Sequence, residues 1–443
     1  MVSSIEHYTS TFSCVAAKLP GADISWMKEM RQEAMDAFTN VGFPTPRNED
    51  WKYTRINPIE KRPFKLTQLH PQDQIDWQRH NTLELDCHRL VFINGMFNPQ
   101  ASCKDSLPGG ITVTSLDKAI YTDPNVVRPH LSRYVDATTS GFSALNTALM
   151  GEGAFIHIPK GAQIDKPILV LFVTVAREQE ICAHPRILIV ADEDSSTRVI
   201  EQYSGSNDIV YFNNCVTEAY VGRGAKLEHY KIQNEGAKSF HVSTCEVAQA
   251  RESQFTSHSI SLGGQLVRND INCVLNDEAA VSELNGLFMA TGRQHVDNHT
   301  RIDHAKPAGI SREYYKGILA GGGRGVFNGR VYVHPDAQKT DAEQYNNNLL
   351  LSRNAEIDTK PQLEIFADDV KCAHGATVGQ LDDNMVFYLR ARGIPESTAR
   401  GLLTYGFASD VLQKMSVAPI RRAIQEQVLD WLPDSEQVRK IVT

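Results

Sequence analysis

Cys372 and His374 stand two residues apart in the stretch Leu363 to Gln380 (LEIFADDVKCAHGATVGQ), at the close of an alternating apolar run that reads as a strand. Side chains at i and i+2 of a strand share one face. A thiolate beside an imidazole is a soft donor pair suited to iron–sulfur chemistry or to zinc. Two donors make half a coordination shell, so a second surface would have to supply the rest. The competing reading is a small buried cysteine beside a hydrogen-bonded histidine, since free cysteine is among the most buried residue types. Spacing alone leaves both open.

Other chemistry-bearing residues point to fewer possibilities. Gly321-Gly322-Gly323-Arg324-Gly325 lacks the Gly-Lys-Ser/Thr of a phosphate loop and is flanked by strands, so it reads as a tight corner. His295, His299 and His304 could form a metal set by number, yet their mixed spacing fits neither one helical face nor one strand face. Asp368 and Asp369 are adjacent and in a strand would point to opposite faces, which is no paired-carboxylate site. No nucleophile elbow, H-E-x-x-H or kinase signature is present.

The 443 residues can bury a sizeable interior, and 41% hydrophobic with 22% charged residues is ordinary for a soluble chain. A formal net charge of -8 without a basic arm argues against a nucleic-acid partner. The opening MVSSIEHYTSTFSC has no basic region followed by an apolar one, and no uninterrupted apolar run reaches roughly 18 residues, so a cytoplasmic protein without membrane contact is expected. Eight scattered cysteines with no C-x-x-C pair predict free thiols, and Cys215, Cys245 and Cys273 read as small core residues within strands.

The elements that must position these residues fall into three regions. Residues 1–150 show an amphipathic helix over Ile24 to Val41 stopped by Gly42, a connector from Phe43 to Thr54 in which Trp51 and Tyr53 offer anchors, and a small hairpin around Asn94-Gly95. Residues 151–380 read as strand after strand, with a small residue beside a turn former at Ala162, Ser195, Ala225, Ser253, Ala279, Ala337 and Ala355. That loose repeat predicts a right-handed parallel β-helix, a β-solenoid of some eight to ten coils and roughly 40–50 Å. Its last coil carries Cys372 and His374. Residues 381–443 return to helix, with apolar stripes Ala399, Leu402, Leu403, Phe407, Leu412 and Ile420, Ile424, Val428, Trp431 that pack on each other or receive a partner.

Three segments carry a resemblance: PTPRNEDWKYT (Pro44–Thr54), IPKGAQIDKPI (Ile158–Ile168) and ADDVKCAHGATVGQLDDNMVFYLRARGI (Ala367–Ile394). Together they resemble the SufB/SufD family of iron–sulfur cluster assembly scaffold subunits, across essentially the whole chain. The SufB branch is longer, with an N-terminal cysteine cluster and a His-Glu-Ala end motif. This chain has neither and reads His374-Gly375-Ala376-Thr377, similar to the SufD branch. Tyr345 to Ser352 (YNNNLLLS) lacks the cysteine that the SufB branch carries just before its end, so the resemblance implies that the cluster-initiating thiol lies on the partner.

What the resemblance implies further is a non-catalytic scaffold with no tightly bound cofactor when isolated, joined to SufB and two copies of the ATPase SufC. A transient iron–sulfur cluster would form at the seam, with His374 as neutral imidazole ligand and Cys372 beside it. The tail from Pro395 to about Leu432, through Ala399, Leu402, Leu403, Phe407 and Leu412, would grip one ATPase and be removable without unfolding the solenoid. The unpaired end coil also suits a homodimer. A second class of function remains: β-solenoids host polysaccharide lyases and hydrolases, which need a groove of acidic and basic residues on one sheet face.

Overall fold

The computed structural model describes residues 3–67, 76–83, 85–103, 107, 109–175 and 180–442. The chain is mainly β, a parallel solenoid of two sheets between which it alternates coil after coil. In the first sheet eight strands run parallel from Gly153–Ile158 to Glu356–Ile365, and in the second eight run from Ile168–Thr174 to Lys371–Gly379. Seven ladder steps at about 4.8 Å make a rod of roughly 34 Å, shorter than the sequence suggested.

The corners explain the repeat. Gly161, Asp194, Gly224, Glu252, Ala279, Ala308 and Lys339 each adopt positive φ, between 56° and 71°. Each is followed by a small residue, Ala162, Ser195, Ala225, Ser253, Ala280, Gly309 or Thr340, that turns the chain into the second sheet. Four of these seven followers, Ala162, Ser195, Ala225 and Ser253, are the anticipated residues; Ala279 is displaced by one, being itself the left-handed residue with Ala280 the buried one, and Gly309 and Thr340 were not anticipated. Ala337 is buried in the same corner as Lys339, and Ala355 in the turn that leads back to the first sheet. The glycine run closes such a turn as well: a Cβ on Gly323 would lie 2.5 Å from the Ala290 carbonyl oxygen.

The interior is only partly apolar. Cys215, Cys245 and Cys273 are buried beside Ile187, Val199 and Leu227, as expected. A polar stripe runs among them. His229 Nε2 lies 2.9 Å from Glu201 Oε1, and Lys231 Nζ donates to Asn269 Oδ1 at 2.6 Å and to Ser243. Burial alone would raise the Glu201 carboxyl, but His229, Thr217 and Lys231 hold it down at about 2.

The two ends of the rod differ. At the start, His88–Ile93 adds in parallel to Ile168–Thr174 and turns at Asn94-Gly95, both with positive φ, into Met96–Phe97, the anticipated hairpin. Thr112–Ser115 pairs antiparallel with Gly153–Ile158. At the finish, no described strand pairs beyond Glu356–Ile365 or Lys371–Gly379.

Flanking elements cover both outer faces. The Ser25–Val41 helix ends at Gly42, and the connector after it docks on the first sheet: Trp51 stacks on Phe142 and on the Arg268 guanidinium, while Thr54 bonds His295 and Asp297. Tyr53 was expected to anchor too, yet it is 41% exposed. On the second sheet lie the helices Glu396–Leu412 and Ala418–Trp431. Their Ala408, Val411, Leu412, Ile420, Ile424 and Val428, with Met415 of the turn between them, bury the outward side chains Ile200, Tyr230, Ile232, Ile260, Leu287, Met289 and Ile318. No described helix is long and apolar enough to cross a membrane.

Candidate functional site

The open end is where the sequence placed its chemistry. In the ladder between Asp341–Leu350 and Lys371–Gly379, Cys372, His374, Ala376 and Val378 pair with Ala342, Gln344, Asn346 and Asn348. Those four partners are buried within the lumen, whereas Tyr345 between them faces out and is 40% exposed. In-register residues of parallel strands point to the same side. Cys372 and His374 therefore belong to the inward row, and His374 is exposed only because nothing stacks above it.

The floor of this mouth is polar. Asn348 Nδ2 donates to Asn346 Oδ1 at 2.6 Å, Thr359 Oγ1 donates to the same oxygen at 2.8 Å, and Gln344 Nε2 donates to Glu313 Oε2 at 3.2 Å. The rim is apolar: Phe366, Val378, Met385, Phe387 and Tyr388 are each at least half exposed. Unpaired backbone edges, a polar floor and an apolar rim are what a stacked coil from another molecule would cover.

The two candidate donors are not equivalent. Cys372 packs at the edge of a cluster of Val331, Val333, Ala337, Ala342 and Ala367, and this half-burial, followed by the Asp341 charge, pushes its thiol above the ordinary value. His374 stands in solvent with no hydrogen bond from a described residue. No three His, Cys, Asp or Glu among the described residues are placed to hold a metal ion, so Cys372 and His374 have no third such donor beside them.

Glu313 and Gln344 escaped the sequence analysis, although the repeat could have found them: they stand on the same inward row, two and one coils before His374 respectively. Burial raises the Glu313 carboxyl to about 7, against the hydrogen bonds from Thr300 and Gln344. Because its folded pKa lies above the unfolded one, Glu313 favours the fold while protonated. That contribution is complete below about pH 4.5 and is lost as pH rises through about 7, a change of roughly 3 kcal/mol. Glu313→Gln is thus expected to gain on the parent between about pH 5 and about pH 8 in urea unfolding. Parallel stability curves for the two chains would refute the assignment.

The remaining sequence candidates sort by face. His295 and His299 share the outer face of the first sheet and His304 points inward to Ser311, so the three form no metal set. His299 instead sits 3.1 Å from Asp297 and 2.9 Å from Arg268. This face lines a cleft of about 620 Å³ under the connector, where a saccharide groove would need acidic and basic side chains free to act. There Asp270 is held by Arg268, Asp303 by Arg301, and Glu246 takes the Asn272 amide. In the tail, Ala399 and Leu412 are fully buried, while Leu402, Leu403 and Phe407 are partly so. Two of the five residues expected to meet a partner are therefore closed off within the chain.

Residues 172–407 match the SufBD core domain of the SUF system for FeS cluster assembly, and residues 2–170 match the SufBD protein N-terminal region. The chain belongs to the SufBD family. An iron–sulfur cluster assembly SufBD family protein of Synechocystis is 34% identical over 93% of this chain and 92% of its own length. The iron–sulfur cluster assembly protein SufD of Escherichia coli is 32% identical over 91% of this chain and 92% of its own. SufB of Bacillus subtilis is 23% identical over 90% and 87%. A place in iron–sulfur cluster assembly thus comes with the SufBD family.

Proposed function

We propose that this chain is a non-catalytic scaffold subunit of the SUF cluster-assembly complex in the cytoplasm, working beside a SufB subunit and the ATPase SufC. Its terminal coil stacks on that of SufB, and the nascent iron–sulfur cluster, the cargo of the complex, is built at the shared rim. His374 gives the cluster a neutral imidazole and Cys372 stands next to it as an auxiliary thiol. The observation that carries this reading is an inward-row histidine laid bare at a coil end on which no described strand pairs, with too few donors among the described residues to complete a metal's shell.

The tail contributes the link to SufC. Since Ala399 and Leu412 are buried and Phe407 packs on the second sheet, Leu403 with the outward side chains around it is the part of the stripe left for the ATPase. Closure of two ATPase copies would then pull on a tail that is itself fastened to the second sheet, so the motion reaches the terminal coil through a packed contact. In the free chain, the same bare end would pair with a second copy.

Co-expression with SufB and SufC, purification under nitrogen and absorbance after adding ferrous iron and sulfide test the proposal. Colour is expected in the three-component assembly and not in the chain alone. A stable chromophore on the isolated chain, or turnover of a polysaccharide by it, would overturn the scaffold role.

A further inference from the structure

A ligating imidazole uses one ring nitrogen for the metal and gives the other N–H to an acceptor, which fixes both the tautomer and the plane of the ring. His374 has no such acceptor among its exposed neighbours. Directly beneath it in the ladder lies Gln344, 0% exposed. The Gln344 side chain crosses the lumen towards the first sheet, where Gly329 makes room for it: a Cβ at Gly329 would fall 2.0 Å from Gln344 Nε2. That nitrogen donates to Glu313 Oε2, and Thr300 Oγ1 donates to the same oxygen at 2.5 Å. The amide orientation is therefore set from below. Gln344 Oε1 is left buried with no partner, which a fold tolerates poorly unless something comes to bond it.

We propose that Gln344 is a positioning residue for His374: its unpaired Oε1 accepts one ring N–H, Glu313 holds the amide from behind, and the other ring nitrogen keeps its lone pair towards the mouth for iron. In the free chain the ring is still in solvent. Stacking of a partner coil excludes water from the mouth and turns the ring onto the buried oxygen, so the ligand becomes ordered only when the other half of the site arrives. This inference rests on the reading of His374 as an iron ligand.

The test is equilibrium dialysis of ferrous iron, without sulfide, against the purified complex with SufB and SufC, alongside the ATPase rate. Gln344→Leu, which keeps the bulk and removes the acceptor, is expected to weaken iron binding about 10–100-fold with the ATPase rate unchanged. Gln344→Glu retains an acceptor and is expected to bind near the parent value. Should the leucine variant fail to assemble, Gln344→Asn withdraws the oxygen by one methylene and is expected to show the same loss. Equal iron affinity in the leucine or asparagine variant, or equal impairment in the glutamate variant, overturns the inference. His374→Ala separates the two levels: if it leaves iron binding untouched, the ligand reading itself fails, whereas a His374 effect without a Gln344 effect removes only the positioning role.

Discussion

His374→Ala is expected to reduce cluster formation to background while the subunits still co-purify in unchanged proportion. The side chain is exposed and bonds nothing in the chain, so its removal should cost the fold no more than about 0.5 kcal/mol. The loss therefore falls on ligation alone. Cys372→Ser should do less, because a half-buried thiol whose pKa is raised offers little thiolate to iron. Absorbance and iron content of the anaerobically purified complex measure both. Normal cluster content with alanine at 374 would remove the histidine from the mechanism; a cysteine variant more damaging than the histidine variant would reverse the order of the two donors.

Deleting residues 396–442 is expected to produce an insoluble chain, or a soluble one that binds a hydrophobic dye strongly. The spacing of the tail suggested a separable appendage, but the structure fastens it along the second sheet. Removing it strips cover from Ile200, Tyr230, Ile232, Ile260, Leu287, Met289 and Ile318, each worth about 1.5–3 kcal/mol when fully buried. Lys316 would also lose the Phe407 carbonyl and the Asp410 carboxylate, to which it donates at 3.0 and 2.7 Å. A monodisperse truncated chain with an unchanged melting curve would show that this face tolerates water. Lost ATPase binding in such a truncation would thus not by itself locate the ATPase contact; a substitution at Leu403, which lies outside the cluster on the sheet, asks that question without uncovering it.

What the sequence disclosed, and what it hid, follow from the same geometry. Glycines, prolines and alternating runs announced the solenoid, its hairpin and its terminal coil, because corner chemistry and period-two alternation are local signals. They could not say which side of a strand is inside when both sides are buried. Tyr230-Lys231-Ile232 would ordinarily put the isoleucine in the core and the lysine in water. Here Lys231 bonds Asn269 in the lumen, while Tyr230 and Ile232 lie beneath the tail helices. The same ambiguity concealed the destination of the Leu412 stripe, since its partner was an outer face that reads as solvent. It also concealed Gln344 and Glu313, polar residues in a row that patterning reserves for apolar ones.

One feature of the rod limits how many molecules it can recruit. The hairpin and the antiparallel strand cover its first coil, whereas no described strand pairs on the far one. An object with one blunted tip and one adhesive tip is a chain terminator for its own kind: two may meet face to face, and growth stops there. Fibre formation, the ordinary hazard of stacked parallel strands, is thereby opposed by the short antiparallel edges at the first end.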